Sequence, residues 1–328
     1  MRNPSIDFLR GLAAFGIVGC HLLLMSRTEA GWAVTNLCDM NVGIFAAVSG
    51  YLMAFGRWSG WGDYVRKRAR RILPVYAVWT VVYLLFAAGF QIMEGGAVNA
   101  RYGDPVFWVR VVFWGSAATH LWFLASLFYA QILMAGVFRM TSDLRRQECR
   151  RPMLLPHPCW WVGISLIVIS LSIWCKNWYV TYPIRLLAFL ILGRGLAAIG
   201  SDLVKRWRGV VLFAAIFGIV LHFVRLPWPA GFVKDWIAVA PILLAFVAWS
   251  DRFTGRLAVV ASFLGATSMG VYLLHPIFTK GVGIVVRRIF AAPYGVMPVI
   301  TDWCVSWLCA LVVTLVLLRF SKLARFVR

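Results

Sequence analysis

Arg10 and His21 stand with ten residues between them inside the first apolar stretch, Asp7 to Leu24, which also carries Asp7. A charge at the centre of a bilayer costs from about 2.5 to more than 10 kcal/mol, so ionisable residues in a span usually face a cavity or a partner. On a helix the step from Arg10 to His21 turns the chain by about 1,100°, within roughly 20° of three whole turns, and advances it about 16 Å. Both side chains therefore share one face. A guanidinium at one end can hold an anion, and an imidazole at the other can take and return a proton near neutral pH. Asp7 is placed to pair with Arg10 across one turn. The alternatives are that Arg10 snorkels to the headgroups and that His21 is a hydrogen-bonded packing residue. Cys20 beside His21 makes no dyad, because adjacent helical residues do not face each other.

A second constellation lies in YVRKRARRILPVY, where Arg66, Lys67, Arg68, Arg70 and Arg71 crowd ahead of an apolar run. Arg68 and Arg71 are three apart and fall on one helical face, a spacing that suits bidentate phosphate binding. Anionic lipid would use the same charges. Pro74 is expected to start the next span, where its missing amide proton costs little. Further candidates are Ser49 and Tyr51 in VGIFAAVSGYLMAF, His120 and Trp122 in HLWFL, and Tyr272 and His275 in SMGVYLLHPIF. Counted in from the outer ends of their spans, Ser49 and His21 lie at similar depth and could touch. Gly50 permits close helix contact. Pro276 disturbs the helix beside His275, which is tolerated where the freed backbone lines a protected cavity. Trp122 also suits an aromatic belt. Arg185, Arg194 and Lys234 either line a vestibule or snorkel.

The elements that position these residues follow from composition. With 62% hydrophobic and 14% charged residues over 328 positions, and a mean hydropathy of +0.80, the chain reads as an all-α, polytopic membrane protein. About ten transmembrane helices are expected, near 7–25, 37–56, 73–90, 120–139, 160–175, 183–199, 209–224, 236–250, 262–280 and 298–318. They form a single transmembrane domain over 1–328 with no separate soluble domain. The net charge of +21 would suggest nucleic acid in a soluble chain. Here the basic residues fall in short loops, so it is a topology signal and no nucleic-acid partner is expected. Arg57 with Arg66 to Arg71, Arg139 to Arg151, Lys205 to Arg208, Arg252 with Arg256, and the tail Arg319 to Arg328 mark one side, which places both termini in the cytoplasm. On the opposite side, Pro105 to Trp114 reads as a short helix lying on the surface. The seven cysteines show no CxxC spacing and read as apolar packers; Cys38 and Cys175 lie near one face without reason to pair. No metal-ligand set is evident.

The ordered motifs resemble the membrane-bound acyltransferase 3 family of bacterial surface-polymer modifying enzymes. They are DFLRGLAAFGIVGCH with Arg10 and His21, VSGYL around Ser49, Arg68 and Arg71 leading into ILPVY, HLWFL from His120, and SMGVYLLHP ending at Pro276. Ala46 stands where the family often has a second Phe, and HLWFLASLFY lacks the acidic pair that some relatives carry. The resemblance implies a stand-alone enzyme of the bacterial inner membrane. It would transfer an acyl group, commonly acetyl, from cytoplasmic acyl-CoA to a hydroxyl of a cell-surface or lipid-linked glycan, with no permanently bound cofactor. On that basis His21 is the general base or a transient acyl carrier, Arg10 orients the donor, and Arg68 and Arg71 grip the phosphates of the coenzyme. Ser49 or Tyr51 would support the oxyanion. A transporter or flippase of a lipid-linked sugar or acyl group is the competing class, since such proteins also keep intramembrane ionisable residues. The oligomeric state is open.

Overall fold

The computed structural model describes residues 3–22, 29–56, 59–93, 100–115, 117–118, 120–148, 158–175, 177–224, 230–290 and 296–327, and no strand occurs among them. The helices are α1 Pro4–Cys20, α2 Glu29–Met53, α3 Trp61–Met93, α4 Pro105–Trp114, α5 Trp122–Glu148, α6 Pro158–Trp174 and α7 Trp178–Leu196. They continue with α8 Ser201–Arg206, α9 Arg208–Leu221, α10 Ala230–Ala248, α11 Gly255–Ile289, α12 Val296–Arg319 and α13 Ser321–Ala324. Each of the ten expected apolar segments overlaps one of the longer helices. Of these, α3, α11 and α12 are long and apolar enough to cross a membrane. At 17 residues, α1 and α6 are about 25 Å long, short of a hydrocarbon core of about 30 Å.

Helix α1 is the hub. Its N-cap Asn3 accepts from the Ser5 amide, Pro4 opens the first turn, and Ala13, Ala14, Ile17 and Val18 are buried. It packs most extensively on α11 and next on α2. Small residues allow this: a Cβ on Gly265 would lie 2.5 Å from the Asp7 Cβ, and one on Gly11 equally close to the Leu264 Cβ. Against α2, Gly16 meets Asn41 and Gly19 meets Cys38. These two contacts fix an antiparallel register in which partner numbers sum to about 57. Gly50 lies against the Leu190 carbonyl, so the close contact expected there is made with α7.

Several boundaries differ from expectation. α1 ends at Cys20, and the remainder of its expected span, 23–25, lies outside the described residues. The basic stretch before the third span is not a loop: it is the first part of α3, and Pro74 lies inside that helix. Its ring is on an exposed side. α5 likewise runs on to Glu148, so the basic residues from Arg139 to Arg146 continue the helix, while Arg150, Arg151 and Arg57 fall outside the described residues. The short helix expected at Pro105 to Trp114 is present as α4. Asp104 caps its start by accepting from the Val106 amide at 2.9 Å, and Gly115 ends it with φ +69°. That left-handed turn favours glycine. A Cβ on Gly115 would also lie 2.5 Å from the Leu121 carbonyl carbon, so the turn sets the segment that carries His120.

Candidate active site

Three histidines converge at the C-terminal end of α1. His21 caps that helix, its amide bonded to the Val18 carbonyl. Its ring centroid lies 5.0 Å from that of His275 on α11 and 6.4 Å from that of His120, which precedes α5. The His120 and His275 rings are 5.6 Å apart. Both are buried, at 3% and 0% exposure, and the Nε2 atom of each has no hydrogen-bond partner among the described residues.

His275 has its tautomer set by its own helix. Its Nδ1 is 2.7 Å from the Tyr272 carbonyl, which only accepts, so Nδ1 carries the proton and Nε2 presents a lone pair. Two tyrosines hold the cluster. The Tyr272 hydroxyl donates to the His120 carbonyl, and the Tyr83 hydroxyl on α3 donates to the Leu273 carbonyl at 2.6 Å. The Tyr83 ring lies 4.6 Å from that of His120. These bonds tie α3, α11 and the His120 segment together. An orphaned buried nitrogen costs about 1–3 kcal/mol, so two in one cluster mark a place built to receive a polar partner.

At the far end of the same helix, Arg10 pairs with Asp7 at 3.5 Å, as the spacing indicated. On α3, Lys67 is bound to Asp63 at 2.8 Å. Arg68 lies 5.1 Å over the ring of the buried Tyr64. Tyr64, Arg68, Arg71 and Val75 fall along one row of α3 by helical spacing; Tyr64 and Val75 are buried, Arg68 is half-buried, and Arg71 is exposed at the border of the inward face. Arg66 and Arg70 point elsewhere. The two arginines singled out by spacing thus flank the inward side of the helix.

The structure does not bring Ser49 to His21. With the α1–α2 register above, Ser49 is level with Phe8, and its hydroxyl donates to the Phe45 carbonyl at 2.9 Å. Tyr51 is buried near the same level, 5.2 Å from Phe55. Both belong to the Arg10 end. Trp122 packs at 4.8 Å on Tyr182, one residue beyond Leu121 in the His120 segment. Cys20 turns back toward the Gly16 carbonyl, and Cys38 and Cys175 are free thiols. Among the described residues no group of three or more His, Cys, Asp and Glu side chains is set to hold a metal ion.

Tyr83 was not singled out from sequence, where it reads as one more aromatic in an apolar run. A further group was equally hidden. Asp235 on α10 bridges Arg185 on α7 and the Nε2 of His222, which follows α9, the latter at 2.8 Å. Arg185 also meets Asp39 of α2 at 3.5 Å.

Among the described residues, an all-helical fold with three membrane-capable helices, an imidazole cluster at one end of α1, and a helix, α3, that reaches this cluster with Tyr83 and carries two arginines about three to four turns away has the parts of a membrane-bound group-transfer enzyme. A family model described as an acyltransferase domain matches residues 3–319, and the chain belongs to this family, the acyltransferase 3 family. No curated protein and no solved structure matches it. The protein is a membrane acyltransferase.

Proposed function

We propose that the chain transfers an acyl group, acetyl in the first instance, from acyl-CoA to a hydroxyl of a cell-surface or lipid-linked glycan. In this reading the ten longer helices all cross a bacterial inner membrane, both termini lie in the cytoplasm, and the donor enters from that side. The observation that carries it is the placing of His21 against His275 and His120 at one end of α1 while Arg10 stands at the other. Arg68 and Arg71 grip the phosphates of the coenzyme, and the pantetheine arm runs past Arg10 toward His21.

His21 removes the proton from the acceptor hydroxyl as its oxygen attacks the thioester carbonyl. The C–S bond breaks, and the imidazolium returns the proton to the departing thiolate of coenzyme A. His275, with a lone pair on Nε2, is the group placed to orient His21 or share that proton. In the covalent variant, the His21 nitrogen attacks the thioester carbonyl, the C–S bond breaks and coenzyme A leaves as the thiol with the imidazole proton; the acceptor hydroxyl oxygen then attacks the acyl-imidazole, the C–N bond breaks, and the hydroxyl proton passes to the freed imidazole nitrogen. The oxyanion is not served by Ser49, which lies at the Arg10 end.

The test is turnover of labelled acetyl-CoA by purified protein in lipid nanodiscs with a crude membrane glycan fraction. Label in glycan with wild type but not with His21→Ala supports the reading. Intact wild-type protein that neither binds nor consumes several acyl-CoAs would refute it and leave transport.

A further inference from the structure

Helices α3 and α11 meet in a seam that runs outward from the histidine cluster. α3 packs on α5 and reaches α11 through long side chains. The inner rung of the seam is at the cluster itself: the Tyr83 hydroxyl donates to the Leu273 carbonyl at 2.6 Å, and the Tyr83 ring lies 4.6 Å from that of His120. The outer rung follows on the same two helix faces. Phe86 and Phe90 stand three and seven residues beyond Tyr83, and Lys280 stands seven beyond Leu273. The Lys280 Nζ is 5.9 Å from the Phe86 ring centroid and 6.0 Å from that of Phe90. Lys280 comes five residues after His275 on one continuous helix, a rise of about 7.5 Å.

We infer that the outer rung of this seam receives the phosphate of a lipid-linked acceptor. The inference rests on the acyltransferase function above and narrows its acceptor to a saccharide carried on a phosphate-bearing lipid. Charge is the first reason. Lys280, Arg287 and Arg288 are exposed and lie within nine residues at the histidine end of α11, the side on which a membrane protein ordinarily carries few Lys and Arg. Arg287 donates from Nε to the Gly283 carbonyl at 3.1 Å. Among the described residues, neither Lys280 nor Arg288 is paired with a carboxylate. An ammonium resting on two rings is loosely held, and ammonium and guanidinium groups are the usual partners of phosphate. Reach is the second reason. At 35 residues, α11 is about 52 Å long against a hydrocarbon core of about 30 Å, so its end extends to headgroup depth, where a lipid carries its phosphate. Third, α3 exposes Leu85 and Ile92 beside the rung, an apolar flank suited to a lipid chain. A phosphate at Lys280 sets the sugar attached to it within about two helical turns of His275.

Two readouts test this, one of them independent of turnover, both in nanodiscs of phosphatidylcholine, whose headgroup has no net charge. For the first, farnesyl diphosphate is the binding probe. Lys280→Gln with Arg288→Gln should weaken its binding at least tenfold, at an unchanged melting temperature and with the Kd for acetyl-CoA within twofold, and Arg288→Gln alone should weaken it at least threefold. Probe binding unchanged in both variants would overturn the assignment. So would displacement of the probe by phosphatidylglycerol, or by inorganic diphosphate, as readily as by unlabelled farnesyl diphosphate, because the site would then be one for bulk lipid headgroups or for free phosphate. For the second, the lipid-linked saccharides extracted from membranes serve as acceptor before and after mild acid, which frees the sugar from its phosphate. The intact material should take label from acetyl-CoA, with its KM at least tenfold higher for the double variant. Equal use of intact and acid-released saccharide by wild type would overturn the assignment. Probe binding that depends on Lys280 and Arg288 in a protein that transfers no label would uphold the phosphate site and refute the acyltransfer reading instead.

Discussion

The rings of His21 and His275 lie 5.0 Å apart at an angle of 40°, joining the first helix of the chain to the eleventh. The contact follows from how α1 and α11 pack. Gly11 lies on Leu264 and Gly265 on Asp7, and two helices that run side by side from that crossing reach His21 and His275 at the same height. Because the Tyr272 carbonyl holds the Nδ1 proton of His275, the free lone pair is on Nε2. Replacing His275 with Asn should lower kcat by about 10²–10⁴-fold, the usual worth of a proton-transfer partner, with the Kd for acetyl-CoA unchanged. Steady-state transfer assays set beside equilibrium donor binding check this. A parallel loss of donor binding would contradict it.

Donor affinity should depend on Arg68 and Arg71 and not on Lys67. The lysine is tied to Asp63, whereas the two arginines border the inward side of α3. Charge-assisted hydrogen bonds contribute about 1.5–3 kcal/mol each, so Arg68→Ala with Arg71→Ala should weaken acetyl-CoA binding roughly tenfold or more. Lys67→Ala should leave it within twofold. Isothermal titration in nanodiscs at two salt concentrations makes the comparison, and equal effects of all three substitutions would point to a diffuse positive surface.

The Asp7–Arg10 pair was legible because it needs only 3.6 residues per turn. His21 lies one residue past the end of α1, as its C-cap, where helical periodicity no longer applies. What brings His120 and His275 to His21 is tertiary: the crossing of α1 with α11, and the Gly115 turn. Neither follows from local spacing. The expected nearness of Ser49 to His21 failed for a definite reason. Depth was counted from the outer ends of assumed spans, with the second starting near residue 37, whereas α2 already begins at Glu29, and the Gly16–Asn41 and Gly19–Cys38 contacts set the register instead. Arg185 reads from sequence as a vestibule or snorkelling residue, and nothing in local spacing links it to Asp235 or His222, which lie on or beside other helices. Only the packing of α7, α9 and α10 makes them one network.

Gly115 should be intolerant of any side chain. At φ +69° an L-residue is strained by roughly 1–2 kcal/mol, and its Cβ would press on the backbone at Leu121. Gly115→Ala should therefore lower thermal stability and, by displacing the His120 segment, reduce kcat more than it changes donor affinity. Thermal unfolding in detergent together with the transfer assay separates the two effects. Full activity would show that the turn does not position His120.

Gly265 tests the α1–α11 seam. An alanine methyl there would approach the Asp7 side chain to 2.5 Å, and overpacking of this kind costs about 1–3 kcal/mol. Gly265→Ala should lower the melting temperature and loosen His21 from His275. The same substitution at Gly281, whose Cβ would meet nothing within 4 Å, should be neutral in the same melting assay.

The most direct measurement is acyl transfer by His21→Ala against wild type, both in nanodiscs at equal, folded protein level, with labelled acetyl-CoA and the membrane glycan fraction. The expected result is label in glycan with wild type, none above background with His21→Ala, and equal donor binding by both. Transfer retained by His21→Ala would remove His21 from the chemistry and contradict the site.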